Sequence, residues 1–174
     1  PEARHHAGMV YDAARSETIV FGGNPDPAFH VGPYLETLGD TWAFDGAHWS
    51  RKQIANAPPA RRGHSMTYDR LRQQIVLFGG TPHTNSAGTL FDDTWTWDGT
   101  QWSLRALSGA RPGARYDASL AFDERRGVAV LFGGFGSSIS AETWEWDGSS
   151  WTARTSSRVP NLFNASMGFD PASG

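Results

Sequence analysis

Three stretches of this 174-residue chain repeat one plan, and no other feature constrains the fold as tightly. The first runs RHHAGMVYD (residues 4–12), TIVFGG, a loop, then DTWAFDGAHW; the second runs RRGHSMTYD (61–69), QIVLFGG and DTWTWDGTQW; the third runs RYDASLAFD (115–123), VAVLFGG and ETWEWDGSSW. The aspartate closing the first segment stands at 12, 69, 123 and 170, in steps of 57, 54 and 47, and the first tryptophan of the last segment at 42, 95 and 144, in steps of 53 and 49. Self-similarity at this period belongs to propellers or solenoids. One such unit is too small to bury a core by itself, but a stack of them is not. The chain is therefore expected to be one cooperative array.

Within each copy the local signals are β. Twenty Gly and ten Pro make the elements short and the turns frequent, and eight Trp with ten Phe give the core an aromatic load. Residues 4–12 are predicted as strand one of the first unit, Thr18 to Phe21 as strand two, Thr41 to Phe44 as strand three and His48 to Lys52 as strand four, with residues 13–17 as the first hairpin loop. Asp45-Gly46, Asp98-Gly99 and Asp147-Gly148 sit between the last two strands as hairpin signals whose central positions tolerate positive φ. Aromatics two apart, Trp42 and Phe44, Trp95 and Trp97, Trp144 and Trp146, fall on one face of strand three. Nearly all the length variation lies between the double glycine and strand three: 17 residues from Asn24 to Asp40, 13 from Thr81 to Asp93, and 8 from Phe135 to Glu142. One face varies while the sheets do not.

An Arg- or His-containing start to strand one, a double glycine after strand two, and spaced aromatics on strands three and four together resemble the Kelch repeat, over essentially the whole chain. Strand three carries Trp where the Kelch pattern commonly has Tyr or Val. The resemblance implies an all-β fold of Kelch-type β-propeller blades, each a four-stranded antiparallel sheet. Three full blades are expected (4–52, 61–105 and 115–154) with the first strand of a fourth in 162–174. Kelch propellers have about six or seven blades. The array is therefore expected to be part of a larger propeller, needing remaining blades or another chain to cover its open blade faces.

Charge and composition narrow the function classes. A net charge of −3 argues against a general nucleic-acid or anionic-membrane binder, and no run of about 18 apolar residues is present to span a bilayer. Without cysteine there is no disulfide, thiolate metal site or cysteine nucleophile, while extracellular and cytoplasmic locations both remain compatible. The galactose-oxidase-like enzymes that share this propeller depend on a tyrosine cross-linked to cysteine, so that chemistry is absent from these residues. The six histidines lack H-x-x-x-H spacing, the aspartates form no D-x-D-x-D-G loop, and no P-loop, G-x-S-x-G or Rossmann glycine pattern occurs. No metal and no cofactor are expected, and surface or satisfied core positions are expected for the histidines.

Two groups of candidate site residues remain. Arg4, Arg61 and Arg115 recur at the start of strand one, where a closed ring would gather them near the channel mouth as an anion or carboxylate site; the structural reading, hydrogen bonds to carbonyls or a carboxylate, is favoured by their repetition. The loop residues Phe29, His30 and Tyr34, then His83, Asn85 and Phe91, offer aromatics and amides suited to protein or carbohydrate contact. The sequence reading is a non-catalytic binding or scaffold module that recognises a protein or glycan through the loops between strands two and three. The alternative is part of a propeller enzyme, of lyase, epimerase or hydrolase type, whose active site is completed by further blades.

Overall fold

In the computed structural model, residues 1–25, 37–82, 89–155 and 164–172 are described, and they contain strands without helices. The first repeat contributes β1 (Arg4–His5), β2 (Gly8–Asp12), β3 (Glu17–Phe21), β4 (Asn24–Pro25), β5 (Thr41–Phe44) and β6 (Trp49–Lys52). The second contributes β7 (Ser65–Asp69), β8 (Gln74–Phe78), β9 (Thr94–Trp97) and β10 (Trp102–Leu104). The third contributes β11 (Ser119–Asp123), β12 (Val128–Phe132), β13 (Thr143–Trp146) and β14 (Trp151–Arg154). Each repeat is one four-stranded antiparallel sheet with its strands in chain order, β2-β3-β5-β6 in the first, while β1 and β4 form a separate two-stranded extension. These are propeller blades, and β2, β7 and β11 are the strands that approach one another at the centre.

Strand one of the first blade is shorter than predicted. The chain leaves β1 at His6, whose φ of 55° is left-handed and cannot continue a strand, and resumes as β2. At the other end, residues 164–170 run beside β11 without a ladder of their own. The Asn164 N–H donates to Asp117 O at 2.8 Å and the Ser119 hydroxyl to Ala165 O at 2.6 Å. The same two bonds, Asp117 N–H to Gly63 O and Ser65 Oγ to Ala118 O, hold the third blade against the second.

Alternation along the central sheet explains how one blade serves two junctions. Ile75 and Leu77 on β8 point to the first blade, where they join Ile19, Phe21, Ala43, Trp97 and Trp102. Val76 and Phe78 point the other way, into a cluster with Leu120, Leu131, Trp146 and Trp151. A strand buried on both faces reads as a continuous apolar run, which QIVLF is. Each such side chain contributes roughly 1.5–3 kcal/mol by leaving water. Polar bonds then set the register between blades: Trp102 Nε1 donates to Thr41 Oγ1 at 3.0 Å, and Trp151 Nε1 to Thr94 Oγ1 at 2.9 Å. On the first blade the equivalent Trp49 is 39% exposed and, with Met9 and Tyr11 across the sheet, lies on the face that no other blade covers among the described residues.

The Asp-Gly hairpins differ from the expected two-residue turn. Pairing closes at Phe44↔Trp49, leaving residues 45–48 as a four-residue loop. Only the glycine has positive φ, 99° at Gly46 and Gly99, while Asp45 Oδ1 accepts from the N–H groups of Ala47 and His48. The aspartate thus acts through its side chain, which replaces ladder partners for two amides. At Asp147 partial burial opposes ionisation, but the amides and hydroxyls of Ser149 and Ser150 prevail and bring the pKa down to about 2. The glycine has a second use that composition does not reveal: the Arg15 side chain of the first blade lies over Gly99, and Arg72 of the second over Gly148. Arg15 and Arg72 also pair with the buried Asp12 and Asp69 and donate to Gln73 O and Gly127 O of the next blade.

Candidate functional site

The face that carries the strand-two-to-three loops is built on a repeated arginine. Each arginine begins the segment that leads into the innermost strand, and its guanidinium turns back into its own blade. Arg4 donates to Gly22 O and forks onto both oxygens of Asp40; Arg61 does the same to Gly79 O and Asp93. Arg115 donates to Gly133 O and pairs with Glu142. The acid also accepts from the indole two residues on, Trp42, Trp95 or Trp144. Because the glycine carbonyl ends strand two and the acid precedes strand three, the guanidinium closes the blade at the base of its variable loop. The arginine backbone meanwhile joins blades: Arg61 O accepts from Gly23 N–H and Arg61 N–H donates to Leu38 O, as Arg115 does with Gly80 and Phe91.

Toward the centre, His6, Gly63, Asp117 and Asn164 hold equivalent positions, all left-handed with φ between 52° and 61°. They are linked in series: Gly63 N–H donates to His6 O, Asp117 N–H to Gly63 O, and Asn164 N–H to Asp117 O. Left-handed His, Asp and Asn cost more than glycine there, and such strain gathers where a side chain must be aimed. Asp117 is half-buried. Burial pushes its carboxyl up, against the pull of the His6 and Arg62 charges. His5 and His6 share a hydrogen bond between their Nδ1 atoms at 2.6 Å.

The sequence candidates distribute unevenly over this geometry. Phe29, His30, Tyr34, His83 and Asn85 lie outside the described residues. Phe91 is half-buried, with the Arg61 guanidinium 4.0 Å above its ring. Arg4, Arg61 and Arg115 are not gathered together; each is engaged by the glycine carbonyl and acid of its own blade, and Arg61 is fully buried. His64 departs from the expected surface or satisfied position. It is buried at the first junction against Phe21, Gly8 and Gly22, with neither ring nitrogen in full hydrogen-bond geometry, and desolvation with the nearby Arg61 charge outweighs the Phe21 carbonyl and Asp93 and lowers its pKa to about 3. Asp117 and Glu142 were not singled out as candidates; the only trace of them in the sequence is that they differ from their counterparts in the sibling blades.

Comparison with known proteins agrees with this architecture. A family model described as the KLHDC2/KLHL20/DRC7 Kelch-repeats domain matches residues 1–161. A tRNA wybutosine-synthesizing protein 4 of Aspergillus fumigatus is 29% identical over 125 residues, which are 70% of this chain and 11% of that protein. An F-box/kelch-repeat protein of Arabidopsis thaliana, At1g51550, is 31% identical over 104 residues, 56% of this chain and 19% of that protein. The chain thus spans under a fifth of the length of these curated relatives. The solved structure of YjhT superposes with a TM-score of 0.68 at 14% identity, covering 91% of this chain and 54% of that one, a likeness of fold.

Proposed function

The chain belongs to the Kelch-repeat β-propeller family, whose domains generally mediate protein interactions, and from that premise we propose that it is a non-catalytic binding or scaffold module recognising a protein or glycan through the loops between strands two and three. One observation carries the reading. The arginine, acid and tryptophan that recur in every blade are spent on holding the loop bases, so a rigid frame presents loops of 17, 13 and 8 residues on one face. We propose further that additional blades, in the same polypeptide or another chain, cover the face bearing Met9, Tyr11 and Trp49. The test is to change Tyr34→Ala and His83→Ala in the full-length protein, then compare partner pull-down and glycan-array capture with the parent. Capture should fall while thermal melting holds; capture unchanged by both substitutions sinks the loop-face reading.

The enzyme alternative draws on one observation of its own, the half-buried Asp117 with a raised pKa beside His6 and Arg62, ahead of the innermost strand of the third blade. A turnover that disappears with Asp117→Asn would favour it over the binding module.

A further inference from the structure

The third blade departs from its siblings at the base of its loop, and the departure leaves a cavity of about 400 Å³ lined by Arg115, Ser137, Ser138, Ile139, Ser140 and Glu142. Two substitutions and a shortened loop open it. The residue bonded to the second glycine carbonyl is Leu38 in the first blade and Phe91 in the second, where the ring covers Arg61; in the third it is Ser140. The loop is the shortest of the three, 8 residues against 17 and 13. The acid is glutamate instead of aspartate. Asp40 and Asp93 use both oxygens on their arginine and are 13% and 21% exposed in the side chain, whereas Glu142 uses Oε2 for both Arg115 and Trp144 and is 56% exposed.

The second donor of Arg115 Nη1 goes to Ser140 Oγ at 3.0 Å, where in the siblings it meets the acid. Glu142 Oε1 is thereby left over as an acceptor on a residue that lines the cavity, and the same lining includes Ser137, Ser138 and Ile139. The Arg115 hydrogen bond holds the Glu142 pKa down against partial burial, so the acceptor stays ionised at neutral pH. Arg115 already neutralises the carboxylate, so the cavity carries no net charge to attract an ion. An ionised acceptor between hydroxyls that both donate and accept matches adjacent hydroxyl groups, and the volume suits a single sugar ring.

We propose that this cavity is a subsite for one neutral sugar residue, held through a pair of adjacent hydroxyls by Glu142 Oε1, Ser137 and Ser138. It deepens the binding-module reading and rests on it, while using residues of the third blade that the Tyr34 and His83 test does not touch. The test is saturation-transfer NMR on the full chain with D-glucose, D-galactose, D-mannose and N-acetylglucosamine as probes, each also presented as its methyl glycoside. The parent protein should transfer saturation to at least one of them. Glu142→Asp should retain the arginine pair in the sibling manner but withdraw the free oxygen, and Ser140→Leu should place the first blade's residue in the cavity lining; both should abolish transfer, Glu142→Asp with melting temperature unchanged and Ser140→Leu with a lowered one, because the Ser140 hydroxyl accepts from Arg115 and from the Glu142 N–H. Should both variants prove unstable, Ser137→Ala with Ser138→Ala on the exposed loop should weaken transfer at least several-fold. No transfer to any probe, transfer unaffected by these changes, or chemical-shift perturbation of the cavity by lysine or arginine amide in preference to every sugar would overturn the proposal. If capture through Tyr34 and His83 persists while the sugars fail, only this subsite falls; if the loop variants leave capture intact while the sugars bind, only the loop face falls.

Discussion

The first blade junction pairs a glycine with a histidine where the later junctions pair a serine with an alanine, and that exchange can be tested quantitatively. Gly8 faces His64, while Ser65 donates to Ala118 O and Ser119 to Ala165 O, both at 2.6 Å. A Cβ on Gly8 would stand 2.7 Å from His64 Nε2 and 2.3 Å from Met66 Sδ. The Gly8→Ser change alone should therefore destabilise by about 1–3 kcal/mol through overpacking, although the flexible Met66 can yield. Combined with His64→Ala it should find the room and the carbonyl its siblings use, with a gain of about 1 kcal/mol for the bond. The double-mutant cycle should show favourable coupling of about 2 kcal/mol.

Acid sensitivity gives the same residue a second readout. The His64 pKa is lowered from 6.5 to about 3 on folding, so the unfolded chain takes up the proton first as pH falls. Stability is full above pH 6.5 and declines below it at about 1.4 kcal/mol per pH unit, roughly 2 kcal/mol by pH 5. Urea unfolding followed by tryptophan fluorescence at neutral pH and near pH 5 measures both effects. Additive single changes, or an equal acid loss in parent and His64→Ala, would refute the reasoning.

Three further outcomes follow from the blade contacts, each read as a change in denaturation midpoint. Trp102→Phe removes the donor to Thr41 and should cost about 1 kcal/mol, whereas Trp49→Phe on the uncovered face should stay within about 0.5 kcal/mol. Gly46 and Gly99 share a φ of 99°, but a Cβ meets nothing within 4 Å at the first and stands 1.8 Å from Arg15 Nε at the second. Both alanine changes should cost about 1–3 kcal/mol for the backbone, and Gly99→Ala should cost measurably more; equal losses would remove the role given to Arg15. Arg61→Met leaves Asp93 and Gly79 O without their buried donor and should cost about 3 kcal/mol or more, and Arg61→Lys should recover little because an ammonium cannot reproduce the fork.

The sheets were legible because each strand pattern is stated three times: the apolar runs before the double glycines, the aromatics two apart and the Asp-Gly loops all name the same elements. The break at His6 was hidden because left-handed histidine has no sequence mark, and it shows only beside Gly63. Repetition of the arginines already favours the frame over a ligand, but the partner that engages each one is not legible, since it lies 32 residues away in the case of Asp93 and Arg61. His64 was misjudged for a related reason. Its surroundings come from Phe21, Gly8 and Gly22 of another blade, and only the contrast with Ala7 and Ala118 marks it as exceptional. Glu142 stands where its siblings have aspartate, and one added methylene changes which oxygens the arginine uses.

The linked left-handed residues at the centre give the array a sense of direction. Each later residue donates and each earlier one accepts, from Asn164 back through Asp117 and Gly63 to His6. A junction of this kind is not self-complementary: the trailing side of one blade fits only the leading side of another. A tandem duplication or deletion of one whole repeat therefore preserves the donor-to-acceptor sense of every seam and changes the angle over which the ring must close. An inverted unit would present acceptor to acceptor at one seam and donor to donor at the other, so such a lineage can change its blade number far more readily than the orientation of any blade.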